Sequence, residues 1–284
     1  MANSTVTPSD ATVRAMRNEA ERPALSRLAA DGDASLGRRA ATPFVLTGDG
    51  VSCRVRTLPF RPDSAHLVLL QKRCLPTDED LARWIDDLAG RGYRRVRTGA
   101  LGTTASLRVE AAGFTLVQQL MLLQHDNPRE TTRAWPRADR RPQAATYRLN
   151  HHHHHHDVAS VVDVAAFGEH WGLDPASVAD VRRATPRHRA RLARADDAHL
   201  AAYAITGRDA DQGFLQRLAV DPAHQRRGLG RSLVLDSLKW LGRWRVGRVL
   251  VNTPTDNEAA LSLYEQVGFH RLPERLGVYE RILP

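Results

Sequence analysis

At 284 residues the chain is long enough for one large domain or two ordinary ones, each able to bury a core. With 42% hydrophobic and 26% charged residues it has the composition of a soluble globular protein. No apolar run reaches membrane-spanning length, and Asp10, Glu19 and Glu21 mixed with Arg14, Arg17 and Arg22 exclude a hydrophobic signal near the start, so a cytoplasmic location is expected. A formal charge of +9 suits polyanionic ligands without choosing among them, and two cysteines, Cys53 and Cys74, exclude a disulfide framework.

Residues 1–44 are small and polar and read as a tail with a short helix around 12–30. Strands are expected at 51–58, 65–70 and 94–98, with a helix at 78–89 between the second and third. The Pro128, Pro136 and Pro142 stretch, 126–144, reads as a linker between a unit at 45–125 and one at 145–284. The second unit opens with a strand at 145–149. Six histidines, His151 to His156, follow and are read as a surface loop without catalytic function or a fixed metal site. A helix at 157–171 is capped by Asp157 and carries an apolar face of Val158, Val161, Val162, Ala165 and Ala166. Strands at 188–194, 199–206 and 213–220, a helix at 231–243, a strand at 248–253, a helix at 257–267 and a strand at 276–283 complete the order. Arg182, Arg183, Arg187, His188, Arg189, Arg191 and Arg194 form a basic cluster; lacking interleaved aromatics, it reads as a solvated face rather than a nucleic-acid surface.

The most informative stretch joins the strand ending at Val220 to the helix beginning near Arg231. It runs Gln225-Arg226-Arg227-Gly228-Leu229-Gly230-Arg231 after Asp221 and Pro222. Glycines there let the main chain approach a ligand, so N–H groups at a helix start can face phosphate oxygens while Gln225, Arg226, Arg227 and Arg231 add polar and cationic contacts. This Gln-x-x-Gly-x-Gly turn, with Asn257, Tyr264 and Gly268-Phe269 at the following distances, resembles the acyl-CoA signature of the GCN5-related N-acetyltransferase (GNAT) family over about 145–284.

The resemblance implies an α/β (α+β) acyl-CoA N-acyltransferase fold, a mixed, mostly antiparallel sheet flanked by helices. It also implies an enzyme that passes an acetyl group from acetyl-CoA to an amine acceptor. In the family the strands on either side of the motif helix splay apart, and the main chain of Leu218, Ala219 and Val220 is implied to pair with the cofactor arm. Gln225 to Arg231, including Leu229, hold the phosphates, Asn257 touches the arm, and Tyr264 is implied to protonate the departing sulfur. Asn257 also reads as a helix N-cap and Tyr264 as a core aromatic. Positions where relatives carry a base hold the amides Gln216 and Asn252, leaving water or Glu169. A non-catalytic CoA-binding or nucleic-acid-associated regulatory protein therefore stays open beside the enzyme.

At an offset of 155 residues, 91–114 aligns without gaps to 246–269, with seven of 24 positions identical, among them Thr98/Thr253, Glu110/Glu265, Gly113/Gly268 and Phe114/Phe269. Two unrelated strand-helix-strand units sharing a Gly-Phe ending would give the same pattern; a degenerate second copy at 45–125 is the favoured reading. Val109 stands at the place of Tyr264 and Gly102 at that of Asn257, and 70–76 has no glycine, so no acetyl transfer is expected from the first unit.

Overall fold

The computed structural model describes residues 42–70, 74–134, 146–148, 153–195 and 200–284. The expected tail, most of the linker and the first two histidines lie outside them. Eleven strands form one sheet: β1 (Phe44–Thr47), β2 (Ser52–Leu58), β3 (Arg61–Leu69), β4 (Arg95–Thr98), β5 (Thr115–Asp126), β6 (Thr146–Arg148), β7 (Arg187–Arg194), β8 (Leu200–Asp209), β9 (Gln212–Val220), β10 (Arg248–Pro254) and β11 (His270–Ile282). The helices are α1 (Asp78–Gly90), α2 (Thr103–Ala111), α3 (Pro128–Ala134), α4 (His153–Trp171), α5 (Pro175–Arg183), α6 (Leu229–Arg243) and α7 (Glu258–Gln266). The sheet is mixed and mostly antiparallel, flanked by helices, as the fold class expected.

Alternation along the strands sorts side chains into separate cores. On β8, Ala202 and Ala204 join Leu215 and the α6 residues Leu233, Val234, Leu238 and Leu241 in one layer, while Tyr203 and Ile205 face Val158, Val162 and Val178 of α4 and α5 in another. A third core gathers Val55, Ala65, Leu67 and Val96 of the first-half strands with Leu81, Trp84, Ile85 and Leu88 of α1.

The strand order is β1-β2-β3-β4-β11-β5-β10-β9-β8-β7-β6. The two halves therefore exchange strands: β5 lies between β10 and β11, and β11 lies between β4 and β5. The 155-residue offset maps α2 onto α7 residue for residue. Both helices end in the same way, with the N–H of Phe114 on Val109 C=O and that of Phe269 on Tyr264 C=O, each at 3.0 Å, and with Gly113 and Gly268 at φ +78° and +98°.

β1 and β5 were not among the expected strands, and two helices also depart from expectation. The stretch read as linker holds α3, whose Pro128 occupies a helix start, where its missing N–H costs nothing; Arg129 lies against Gly242 of α6. α5 was not expected, although Asp174 caps it through the Ser177 N–H and Pro175 opens it.

Candidate active site

The turn after β9 is built by its own backbone. The Asp221 carboxylate accepts the Ala223 N–H at 2.9 Å, Arg226 stands at φ +62° and Gly228 at φ +78°. Left-handed conformations at both positions steer the chain into α6, and at Gly228 only glycine adopts one without strain. Ser232 N–H makes the first helical bond, to Gly228 C=O, and no side chain caps the helix, so the N–H groups of Leu229 and Gly230 sit at its positive pole outside the helical ladder. A Cβ on Gly230 would come within 3.3 Å of Leu263 and 3.5 Å of Val220, which explains the second glycine by close approach. Gln225, Arg226 and Arg227 are exposed around the turn and Arg231 is partly buried beside it. The Gln225 amide donates to Val220 C=O at 3.3 Å.

β9 and β10 run parallel but pair only from Arg248↔Gln212 to Leu250↔Phe214. Beyond Phe214, β9 stays bonded to β8 and β10 stays bonded to β5, so a gap opens between Leu215–Val220 and Val251–Pro254. A bulge at Gln216, the extra residue between the Ile205↔Arg217 and Thr206↔Leu215 pairs, marks the start of the divergence. The register fixes which main-chain groups face the gap. Asp221 N–H bonds Ala201 C=O, so alternation makes Ala219 and Tyr203 the next bonded pair and turns the N–H and C=O of Leu218 and Val220 outward. Ala219, expected among the cofactor contacts, has its main chain turned to β8 and its side chain in the core beneath α4.

Across the gap, α7 begins at Asn257, whose side-chain oxygen caps the Ala260 N–H at 3.1 Å while its amide donors stay uncommitted to the cap. Tyr264 packs its ring on Phe269 at 5.6 Å and is only 4% exposed, yet its hydroxyl has no hydrogen-bond partner among the described residues. Burial holds this phenol well above its ordinary pKa, with the nearby Arg217 guanidinium partly offsetting the rise. Core packing and an available hydroxyl thus coexist in one residue.

Sequence reading missed the network beside it. Arg217, on the diverging stretch of β9, makes a two-pronged ion pair with fully buried Asp163 of α4 at 2.7 and 2.8 Å. Asp163 also accepts the Tyr203 hydroxyl at 2.5 Å and the Leu173 N–H at 2.8 Å, which fills its acceptor positions. A charged residue within an otherwise apolar strand and an acid on the apolar side of a helix were the available signals. The amides at Gln216 and Asn252 differ in setting: Gln216 donates to Val181 C=O at 3.0 Å, while Asn252 is exposed. Glu169 is exposed near the end of α4.

The histidine run is not simply a loop. His153 to His156 form the first turn of α4, so Asp157 lies inside the helix rather than capping it, and His156 is buried 3.4 Å from Arg182. Among the described residues no group of three or more His, Cys, Asp or Glu is placed to hold a metal, and no helix is long and apolar enough to cross a membrane. The basic cluster is largely occupied: Arg189 and Arg191 share Asp236, Arg183 reaches Asp180, and Arg182 is buried.

A profile of the Acetyltransferase (GNAT) family matches residues 124–269. The [ribosomal protein bS18]-alanine N-acetyltransferase of Escherichia coli K12 is 38% identical over 80 residues, covering 28% of this chain and 54% of that protein. A mycothiol acetyltransferase from Rhodococcus erythropolis is 42% identical over 69 residues, 24% of this chain and 23% of that one. The chain thus spans about half the length, or less, of these curated relatives. Among solved structures, a tandem GNAT protein from the clavulanic acid biosynthesis pathway superposes with a TM-score of 0.57 over 82% of this chain and 79% of its own, at 15% identity, a likeness of fold. A turn opening onto an uncapped helix, a parted strand pair and a family profile over half the chain agree: the protein belongs to the acetyltransferase (GNAT) family.

Proposed function

We propose that the chain is an acetyl-CoA-dependent N-acetyltransferase that passes the acetyl group to an amine acceptor by direct attack, with 145–284 carrying the chemistry and 45–125 supporting it. The observation that carries this reading is the gap between β9 and β10, lined by the Leu218 and Val220 main chain, with buried Tyr264 close enough to Arg217 of β9 to feel its charge. Acetyl-CoA supplies the acetyl thioester. Its pyrophosphate suits the Leu229 and Gly230 N–H groups with Arg226, Arg227 and Arg231 around them, and its amides suit the open β9 edge as an added strand would. The Asn257 amide donors, not used by the cap, would be available to the same arm.

Tyr264, protonated at neutral pH like any phenol and raised further by burial, is the candidate donor to the departing sulfur. The Arg217 charge eases the moment when the phenol has given up its proton. Asp163 already holds its donors and the amides Gln216 and Asn252 take no proton, so the amine proton leaves through water or by way of Glu169. Free-thiol release from acetyl-CoA, measured against peptides beginning with alanine, small amines and aminoacylated compounds, tests the reading. Acceptor-dependent release supports transfer; tight acetyl-CoA binding without release across the panel supports a non-catalytic CoA-binding protein, the reading favoured by amides at the base positions.

A further inference from the structure

The end of α4 lies against the diverging stretch of β9, and two arginines from different halves of the chain hold it. Gly168 breaks the helix at φ 69°, ψ 170°; the Gly172 N–H still reaches Gly168 C=O at 2.7 Å, while the His170 and Trp171 carbonyls are taken by side chains. Arg217 donates to Trp171 C=O at 2.9 Å and stacks on Phe167 at 3.9 Å. Arg97 of β4 repeats the arrangement from the other side, donating to His170 C=O at 2.8 Å and stacking on Trp171 at 4.2 Å. Each guanidinium takes one carbonyl and one aromatic face, and each is anchored by a carboxylate: Asp163 for Arg217, and for Arg97 its cross-strand neighbour Glu280 on β11, at 2.6 Å. Arg97 is 3% exposed, its second terminal nitrogen lies 2.6 Å from the His170 ring, and Arg61 meets the other ring nitrogen. Val96 beside it points the opposite way, into the core under α1.

We infer that Arg97, which lies outside the family-matched residues, is a positioning residue for acceptor recognition: it fixes the Gly168–Trp171 turn so that the acceptor-facing wall beside Arg217 is formed before any acceptor arrives. The part of this inference that concerns the acceptor rests on the transferase reading above; the clamp itself does not. It gives the first half a role at the site without a cofactor of its own. A flat guanidinium satisfies a carbonyl and a ring at once, a geometry an ammonium does not reproduce.

The test pairs Arg97→Met with Glu280→Gln, so that no buried carboxylate is orphaned, and uses Arg97→Lys as the partial rescue. Hydrogen exchange on the protein alone should speed up at the Gly172 and Leu173 amides by about tenfold or more while β8, β9 and α6 keep their protection. Unchanged exchange at these amides, or an equal rise throughout the chain, overturns the clamp whether or not transfer is ever observed. With a panel amine that is turned over, KM for that amine should rise about tenfold while acetyl-CoA affinity by calorimetry stays within about twofold, and Arg97→Lys should fall between. An unaltered amine KM overturns the positioning role while leaving the transferase reading intact.

Discussion

β3 with β4 and β9 with β10 are the two parallel pairs of this sheet, each joined through a helix, and they differ at the two points where a ligand would enter. β4 is paired along its whole length, from Ser64↔Arg95 to Leu67↔Thr98, and the Gly99 N–H extends the ladder to Leu67 C=O at 2.9 Å. β10 loses β9 after three residue pairs. The helix starts differ in the same sense. α1 opens with a complete capping box, Thr77 to Asp80 and back, and with Asp78, Glu79 and Asp80 in its first turn, so its positive pole is already neutralised. α6 opens on Gly228 with no side-chain cap and no acid in its first turn. The same strand-helix-strand order in the two halves thus yields one closed pair and one open pair. A bulge at Gln216 and an uncapped helix pole, rather than the order of elements, distinguish the open pair from the closed one.

The comparison breaks or sharpens under substitution. Tyr264→Phe keeps the ring that packs on Phe269 and removes the proposed proton donor, so turnover should fall by about 10²–10⁴ with acetyl-CoA affinity retained. Near wild-type turnover, measured where chemistry limits the rate, would return Tyr264 to a core role. Gly228→Val forces a β-branched residue to φ +78° and should weaken acetyl-CoA binding by at least about tenfold in calorimetry, with the thermal transition still cooperative. Its counterpart in the closed pair, Thr77→Ala, should cost about 1 kcal/mol of stability and leave acetyl-CoA affinity alone. Crystals soaked in excess acetyl-CoA should hold one molecule per chain, between β9 and β10; a second between β3 and β4 would erase the distinction.

A smaller effect belongs to the closed pair. His66 on β3 is pushed down to about 4 by burial and by Arg56, Arg97 and Arg54 around it. The unfolded chain takes up this proton near pH 6.5 and the folded chain only near 4, so stability should be full above about 6.5 and fall as pH drops towards 4. His66→Gln should flatten that part of the unfolding profile; an unaltered profile would show that the ring is not held neutral.

Local signals carried most of the site. The glycine turn, the Asn257 cap and the extent of α7 follow from short-range chemistry, and they stand within a residue or so of where the sequence puts them. That Ala219 faces the other way from Leu218 and Val220 follows from the two-residue alternation of a strand, whose phase only the Asp221–Ala201 bond fixes. Asp163 and Arg217, 54 positions apart, are invisible as a pair until α4 lies on β9. The exchange of β5 and β11 leaves no trace in composition or periodicity, since an edge strand and a central strand of an antiparallel sheet carry the same alternation.

That exchange has a kinetic meaning. Arg97 and Glu280 are 183 residues apart, and the core of the first half includes Tyr279 and Leu283 from the second. Until β11 arrives, β4 is an unpaired edge and α1 packs over an incomplete layer; until β5 is in place, β10 is equally exposed. Each half is thus the other's missing piece, and a closure of such length must be reached before its contacts are rewarded, the condition for slow, single-step assembly. A chain severed between α3 and β6 would leave two fragments with complementary open edges, prone to pair with copies of themselves and to recover a native sheet only when they meet each other.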